Sequence, residues 1–180
     1  MRSRTLDPCS FIRVQTWDPQ AVAPTKIEQQ LGIPWPQHVG AIATGRADIL
    51  CIGLTDWLVT SSDPDPATLL HQLNTAFEQT PFRATNVSQA LIRVELDGPE
   101  VRTLLLKGCS LDLHPSRFPP GICARTRFAS LPAILRCTGL DTFECIVTAT
   151  YRDYLMSWLT DASPSPPESP RSAPASRAPV

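Results

Sequence analysis

Three histidines (His38, His71, His114) and six cysteines (Cys9, Cys51, Cys109, Cys123, Cys137, Cys145) are the side chains on which nucleophilic or metal chemistry would draw. A Ser–His–Asp or Cys–His arrangement needs an imidazole within reach of a nucleophile. His71 falls on the polar side of a leucine-patterned helix and His38 beside a strand start, so both read as exposed or hydrogen-bonded histidines. His114 alone is embedded in a dense loop, next to Asp112 and near Arg117. Neighbours in an extended loop point apart, so Asp112 reads as an acceptor for backbone N–H groups of the loop that follows. No catalytic residue is assigned. The cysteines form no CxxC pair and give no zinc-ligand spacing, so no metal site is expected. Cys109 follows a helix C-terminus, whose negative end raises a thiol pKa, the wrong direction for a nucleophile. Neither GxxxxGK[ST] nor GxGxxG occurs, and no cofactor is expected on this chain.

Contact chemistry is the remaining possibility. Trp57 begins a strand and Trp158 belongs to a helical stripe, which makes both packing residues. Trp17 and Trp35 lie in proline-flanked irregular segments, where an indole either folds back or faces a partner. With Asp112, His114 and Phe118 of the dense loop, they are the partner-interface candidates.

Two β-rich stretches, each ended by a helix, must position these residues. Strands are predicted over 11–14, 39–44, 49–54 and 57–60, the second and third forming a hairpin about Gly45-Arg46. A short helix over 26–31 is closed by Gly32. Asp63-Pro64-Asp65-Pro66 opens a helix over 67–79 with Leu69, Leu70, Leu73, Ala76 and Phe77 on one stripe. The segment 82–96 reads as two strands or one bent strand. Gly98-Pro99-Glu100 begins a helix that packs through Val101, Leu104 and Leu105 and ends at Gly108. Prolines at 115, 119 and 120 make 110–121 an ordered loop. Strands follow over 122–128, 133–137 and 143–147, then a helix over 150–159 with Tyr151, Tyr154, Leu155, Trp158 and Leu159 inward. The fold class is α+β, with mainly antiparallel sheets and packed helices.

The 180 residues are 42% hydrophobic, enough for one core, and 16 Lys+Arg against 17 Asp+Glu leave a formal charge of −1. That balance supplies no field for nucleic acid or an anionic membrane, and no apolar run reaches bilayer length. Residues 162–180, rich in Pro, Ser and Ala, read as a disordered tail. Residues 1–9 read as a flexible N-terminus and 10–161 as a single domain. No signal-like apolar run follows Met1–Arg4, so reduced cysteines and a cytoplasmic location are expected.

Leu-Asp-Gly-Pro-Glu-Val-Arg at 96–102, the run Leu104 to Pro115 containing Asp112-Leu113-His114-Pro115, then Phe118-Pro119-Pro120-Gly121 and Thr126-Arg127 resemble the gamma subunit of heterotetrameric sarcosine oxidase. Ile52-Gly53-Leu54-Thr55-Asp56-Trp57-Leu58-Val59 is similar to that family's Gly-Pro-x-x-Trp-Leu strand, with leucine where proline is usual. The resemblance covers about residues 35–161. It departs at Asn86-Val87-Ser88-Gln89, where Val-Asp-x-Ser is common, and at Thr148-Ala149-Thr150, where Pro-Arg-Ser is common.

That family is in turn similar to the N-terminal part of the glycine-cleavage T-protein, so the resemblance implies a fold of the aminomethyltransferase type. It also implies a non-catalytic gamma subunit beside larger alpha and beta flavoprotein subunits and a small delta subunit. The complex demethylates sarcosine to glycine oxidatively, passing electrons to oxygen and the one-carbon unit to tetrahydrofolate. FAD, FMN, NAD and tetrahydrofolate are implied for the companions rather than for this chain. The alternative is a stand-alone folate-binding protein of the aminomethyltransferase or iron–sulfur maintenance type, since Lys107-Gly108-Cys109 is similar to a Lys-Gly-Cys motif of the latter family.

Overall fold

Alternation along 10–16 sends Ile12 and Val14 to one face and Phe11 and Arg13 to the other, so a strand with two buried faces must be covered twice. The computed structural model describes residues 1–18, 22, 24–63, 65–78 and 81–163. In chain order the elements are β1 (Arg2–Thr5), β2 (Ser10–Thr16), α1 (Pro24–Leu31), β3 (Ile42–Thr44), β4 (Asp48–Gly53), β5 (Asp56–Ser61), α2 (Pro66–Ala76), β6 (Phe82–Asn86), β7 (Leu91–Asp97), α3 (Val101–Gly108), β8 (Cys123–Phe128), β9 (Leu131–Gly139), β10 (Thr142–Thr148) and α4 (Arg152–Ala162). Two five-stranded sheets result: an N-sheet ordered β3-β4-β5-β2-β6 and a C-sheet ordered β1-β7-β10-β9-β8. The strand pairs in both are antiparallel.

Three clusters of buried side chains define four layers. Ile27 and Leu31 of α1 and Leu69 and Leu73 of α2 pack on Ile12, Val14, Ile49 and Val59 of the N-sheet. Leu104 and Leu105 of α3 and Leu155 and Leu159 of α4 pack on Val94, Leu135 and Phe143 of the C-sheet. Between the sheets, Phe11, Leu50 and Leu58 meet Cys123 and Ile146. The order is therefore helices, N-sheet, C-sheet, helices, an α+β architecture with antiparallel sheets.

Local chemistry explains the element ends. Asp65 caps α2: its Oδ1 accepts from Ala67 N at 3.0 Å and its Oδ2 from Thr68 Oγ1 at 3.0 Å, with Pro66 in the first turn. Those donors, the Ala67 N–H foremost, hold the Asp65 carboxyl below its usual range. The β8–β9 hairpin turns on Ala129 and Ser130, both at positive φ (51° and 67°), the geometry of a primed two-residue turn built here without glycine. Ala129 N donates to Gly108 O at 3.0 Å and Tyr154 Oη to Ala129 O at 3.1 Å, so helices on both sides pin it. Gly98 sits at φ +123° with Met1 packed against it, and a Cβ there would lie 3.2 Å from Met1 Cα.

The structure corrects several expectations. Residues 1–9 are not a flexible leader throughout: Arg2–Thr5 pairs with Asp97–Val94 as the edge strand of the C-sheet. Arg-Ser-Arg-Thr carries no apolar alternation, and the ladder is made by backbone groups that any side chain permits. The final helix does not bury a tyrosine stripe. A 3-10 turn over Ala149–Tyr151 precedes α4 and breaks its phase. Leu155 and Leu159 point inward, while Tyr151 and Tyr154 are exposed. The helix expected over 67–79 ends at Ala76, with Phe77 as its cap. Residues 79–80 and the tail from 164 onward lie outside the described residues.

Candidate functional site

The dense loop after α3 owes its shape to Arg102, whose role has no side-chain signature in the sequence. Its guanidinium donates to the carbonyls of Leu113 and Phe118, the latter at 3.3 Å, and through Nη2 to Leu140 O at 2.9 Å. It also stacks over Phe143, 4.9 Å from the ring centroid. One helix residue thus ties the 109–122 loop and the β9–β10 turn to the core.

Within that loop the polar side chains serve the backbone. Asp112 Oδ1 accepts from His114 N at 3.0 Å. Ser116 N donates to His114 Nδ1 at 3.3 Å, and Ser116 Oγ lies 2.7 Å from the same nitrogen. Arg117 N and Phe118 N both donate to His114 O at 2.8 Å. Asp112 and His114 are exposed but hold the turn rather than each other. Cys109 is buried at the end of α3, its Sγ accepting from Leu111 N at 3.3 Å.

Of the partner-interface candidates, the structure withdraws two. Trp35 is 4% exposed and packs in the core beneath α2, tilted against Trp57 (5.3 Å) and edge-on to Phe77 (5.1 Å). Phe118 is 5% exposed and stacks on Phe143 at 6.1 Å. Their proline-flanked segments lie flat on the domain, and the rings fill it. Trp17 does face outward, 72% exposed. It follows β2, where Thr16 N donates to Thr55 O at 3.1 Å, beside the β4–β5 turn.

Charge is concentrated where the two sheets face each other. Arg13 Nε and Nη2 bond Asp56 Oδ1 and Oδ2 at 2.9 and 2.5 Å, and Arg125 from the opposite sheet reaches Asp56 at 3.4 Å. Asp56 holds Arg13 still more firmly in its charged form. Arg13 and Arg125 also line an apolar cleft of about 210 Å³, together with Ile52, Leu58 and Ile146. A second set crosses the sheets: Arg136 bonds Asp48 of the N-sheet at 2.6 Å and lies 3.6 Å from Glu144, which is 3.7 Å from Arg93. Alternation hid both sets, because inward-facing charges look like solvent-facing ones until the second sheet is in place.

Burial raises the thiols of Cys9, Cys51 and Cys137, and pushes Cys123 and Cys145 up to about 12. All six cysteines are free and buried. Among the described residues no three His, Cys, Asp or Glu side chains gather as a metal site, and no helix is long and apolar enough to cross a membrane.

Residues 13–165 match the sarcosine oxidase, gamma subunit family. This chain belongs to that family. It is 30% identical over 139 residues to the sarcosine oxidase subunit gamma of Corynebacterium sp. strain P-1, covering 76% of this chain and 67% of that protein. It is 31% identical over 134 residues to the strain U-96 subunit gamma, covering 73% and 64%. The chain thus spans about two thirds of the length of these relatives. A chain of the heterotetrameric sarcosine oxidase from Corynebacterium sp. U-96, solved with pyrrole 2-carboxylate, superposes with a TM-score of 0.81 at 25% identity, covering 89% of this chain and 82% of that one. The glycine cleavage aminomethyltransferase T from Bartonella henselae shares the fold, with a TM-score of 0.58 at 11% identity over 87% of this chain and 44% of that one.

Proposed function

We propose that this chain is the non-catalytic gamma subunit of a heterotetrameric sarcosine oxidase. It supplies shape and adhesion to alpha, beta and delta companions that carry out oxidative demethylation of sarcosine to glycine. Flavin (FAD and FMN), NAD and tetrahydrofolate chemistry falls to those companions, in the cytoplasm. The observation that carries the reading is the superposition over 89% of the chain on a member of such a heterotetramer. The polar residues of the prominent loop support it, because the side chains of Asp112 and His114 accept from the backbone N–H groups of His114 and Ser116 instead of converging on a reacting atom.

Co-expression of the full chain with the alpha, beta and delta subunits, followed by size-exclusion chromatography, tests the proposal. The chain should co-elute with the others in fixed stoichiometry. Elution as a lone stable monomer beside an active complex of the others would remove the reading. Titration of tetrahydrofolate into the isolated chain should leave tryptophan fluorescence unchanged, whereas a saturable response would favour a stand-alone folate-binding protein.

A further inference from the structure

The large apolar side chains that the N-sheet and its connections leave exposed gather at one end. Trp17 leaves β2, Leu54 tops the β4–β5 turn and Val39 sits in the segment beside β4, with exposures of 72, 79 and 54%. Backbone bonds bring these three places together: Thr16 N donates to Thr55 O at 3.1 Å, and Gly40 N to Cys51 O at 2.8 Å. Scattered single apolar residues need no explanation, but a row at one end of a sheet marks a surface that something covers.

The same end is rich in arginine. Asp56 is already engaged at both oxygens by Arg13, so Arg125 adds a second cation at 3.4 Å, with its side chain 58% exposed. Register places Arg83 opposite Gln15, two residues from Trp17. Three arginines thus stand against Asp56 and Asp18, a positive excess around an apolar row. Tryptophan and arginine are the residue types enriched at the centres of interfaces. A second copy of the chain meeting this end through its two-fold mate would set arginine against arginine. The cationic excess favours, as occupant, a different chain that brings carboxylates.

We infer that this end of the N-sheet is where the chain docks on a larger companion subunit, which covers Trp17 and Leu54 with apolar side chains and offers a carboxylate to Arg125. The inference rests on the subunit reading above and names the surface through which it operates.

The test uses the full chain co-expressed with the alpha, beta and delta subunits. Wild type should be recovered in the complex. Leu54→Glu should lower that recovery at least tenfold, and Arg125→Glu several-fold, with the remaining binding losing its salt sensitivity. Leu106→Glu, on the exposed face of α3, should leave assembly unchanged. Circular dichroism of each variant reports folding; if Leu54→Glu does not fold, Arg125→Glu decides, together with hydrogen-exchange protection of residues 13–17 and 52–56 in the wild-type complex. Wild type entering the complex while Leu54→Glu or Arg125→Glu enters equally well overturns the surface and leaves the subunit reading standing. A wild-type chain that never enters overturns both. A homodimer abolished by Leu54→Glu overturns the choice of occupant.

Discussion

Replacing Arg102 by methionine keeps an unbranched side chain there but deletes the guanidinium over Phe143 and the donors to the carbonyls of Leu113, Phe118 and Leu140. Carbonyls that lose a charged donor cost about 2 kcal/mol in total once partial rehydration is allowed for. Urea denaturation of Arg102→Met should show that loss, and hydrogen exchange should quicken across residues 110–121. In the sequence Asp112 and His114 stand out, read as a backbone-holding pair at a candidate interface and not as a catalytic one. Arg102 was invisible because its partners are main-chain oxygens, which carry no residue signature. The backbone-accepting role of Asp112 was legible, as Asp-x-His in a loop has few other ways to settle its carboxylate. The buried thiols give a second expectation at this scale. Cys123 and Cys145 titrate in the folded chain at about 12, well above the ordinary thiol value near 8.5 that applies when unfolded. The unfolded state therefore releases protons first, and stability should fall as pH rises from about 9 toward 12. Urea midpoints at successive pH values check this, and both thiols should resist alkylation until the chain unfolds.

Elements with a chemical start signal were readable, and those defined only by their neighbours were not. Asp65-Pro66 announced α2, and the leucine spacing set its buried face. Nothing in Arg-Ser-Arg-Thr announced β1, whose existence depends on a free edge of β7 some ninety residues later. Nor did the tyrosine spacing reveal the 3-10 turn that shifts α4 out of phase. The β8–β9 hairpin carries two residues at positive φ, where a side chain costs about 1 kcal/mol each. Ser130→Gly should therefore raise the thermal midpoint, a direction opposite to that expected of glycine inside a strand. Gly108→Ala should do the reverse. Its Cβ would meet Trp158 Cη2 at 2.9 Å and Ala129 N and Phe128 Cε2 at 3.0 Å, a junction of α3, β8 and α4 with no slack. A loss of about 1–3 kcal/mol by overpacking is expected, read as a lower urea midpoint.

The α+β class followed from hydrophobic periodicity, yet the layering of two sheets face to face did not, because strand order depends on contacts between distant residues. The inter-sheet charges are the clearest example. Asp48, Arg93, Arg136 and Glu144 look like surface residues in sequence, and in the fold they form one chain of contacts between the layers. Glu144→Leu would leave Arg93 and Arg136 facing each other without their shared carboxylate. Breaking a largely buried ionic set by removing one member costs about 3–5 kcal/mol. The variant should unfold at markedly lower urea, and the double replacement Arg93→Met/Glu144→Leu, which leaves the Arg136–Asp48 pair in place, should recover part of the loss.

The pairing of Arg2–Thr5 with residues 94–97 has a consequence for biosynthesis. As the polypeptide emerges from the ribosome, its first four strand residues have nothing to zip onto until β7 has cleared the exit tunnel, by which time every strand of the N-sheet is already outside. One half of the molecule can therefore assemble vectorially. The other must wait until β7 to β10 have been made, so premature chain termination after residue 90 leaves β1 without its partner strand rather than yielding a smaller finished product.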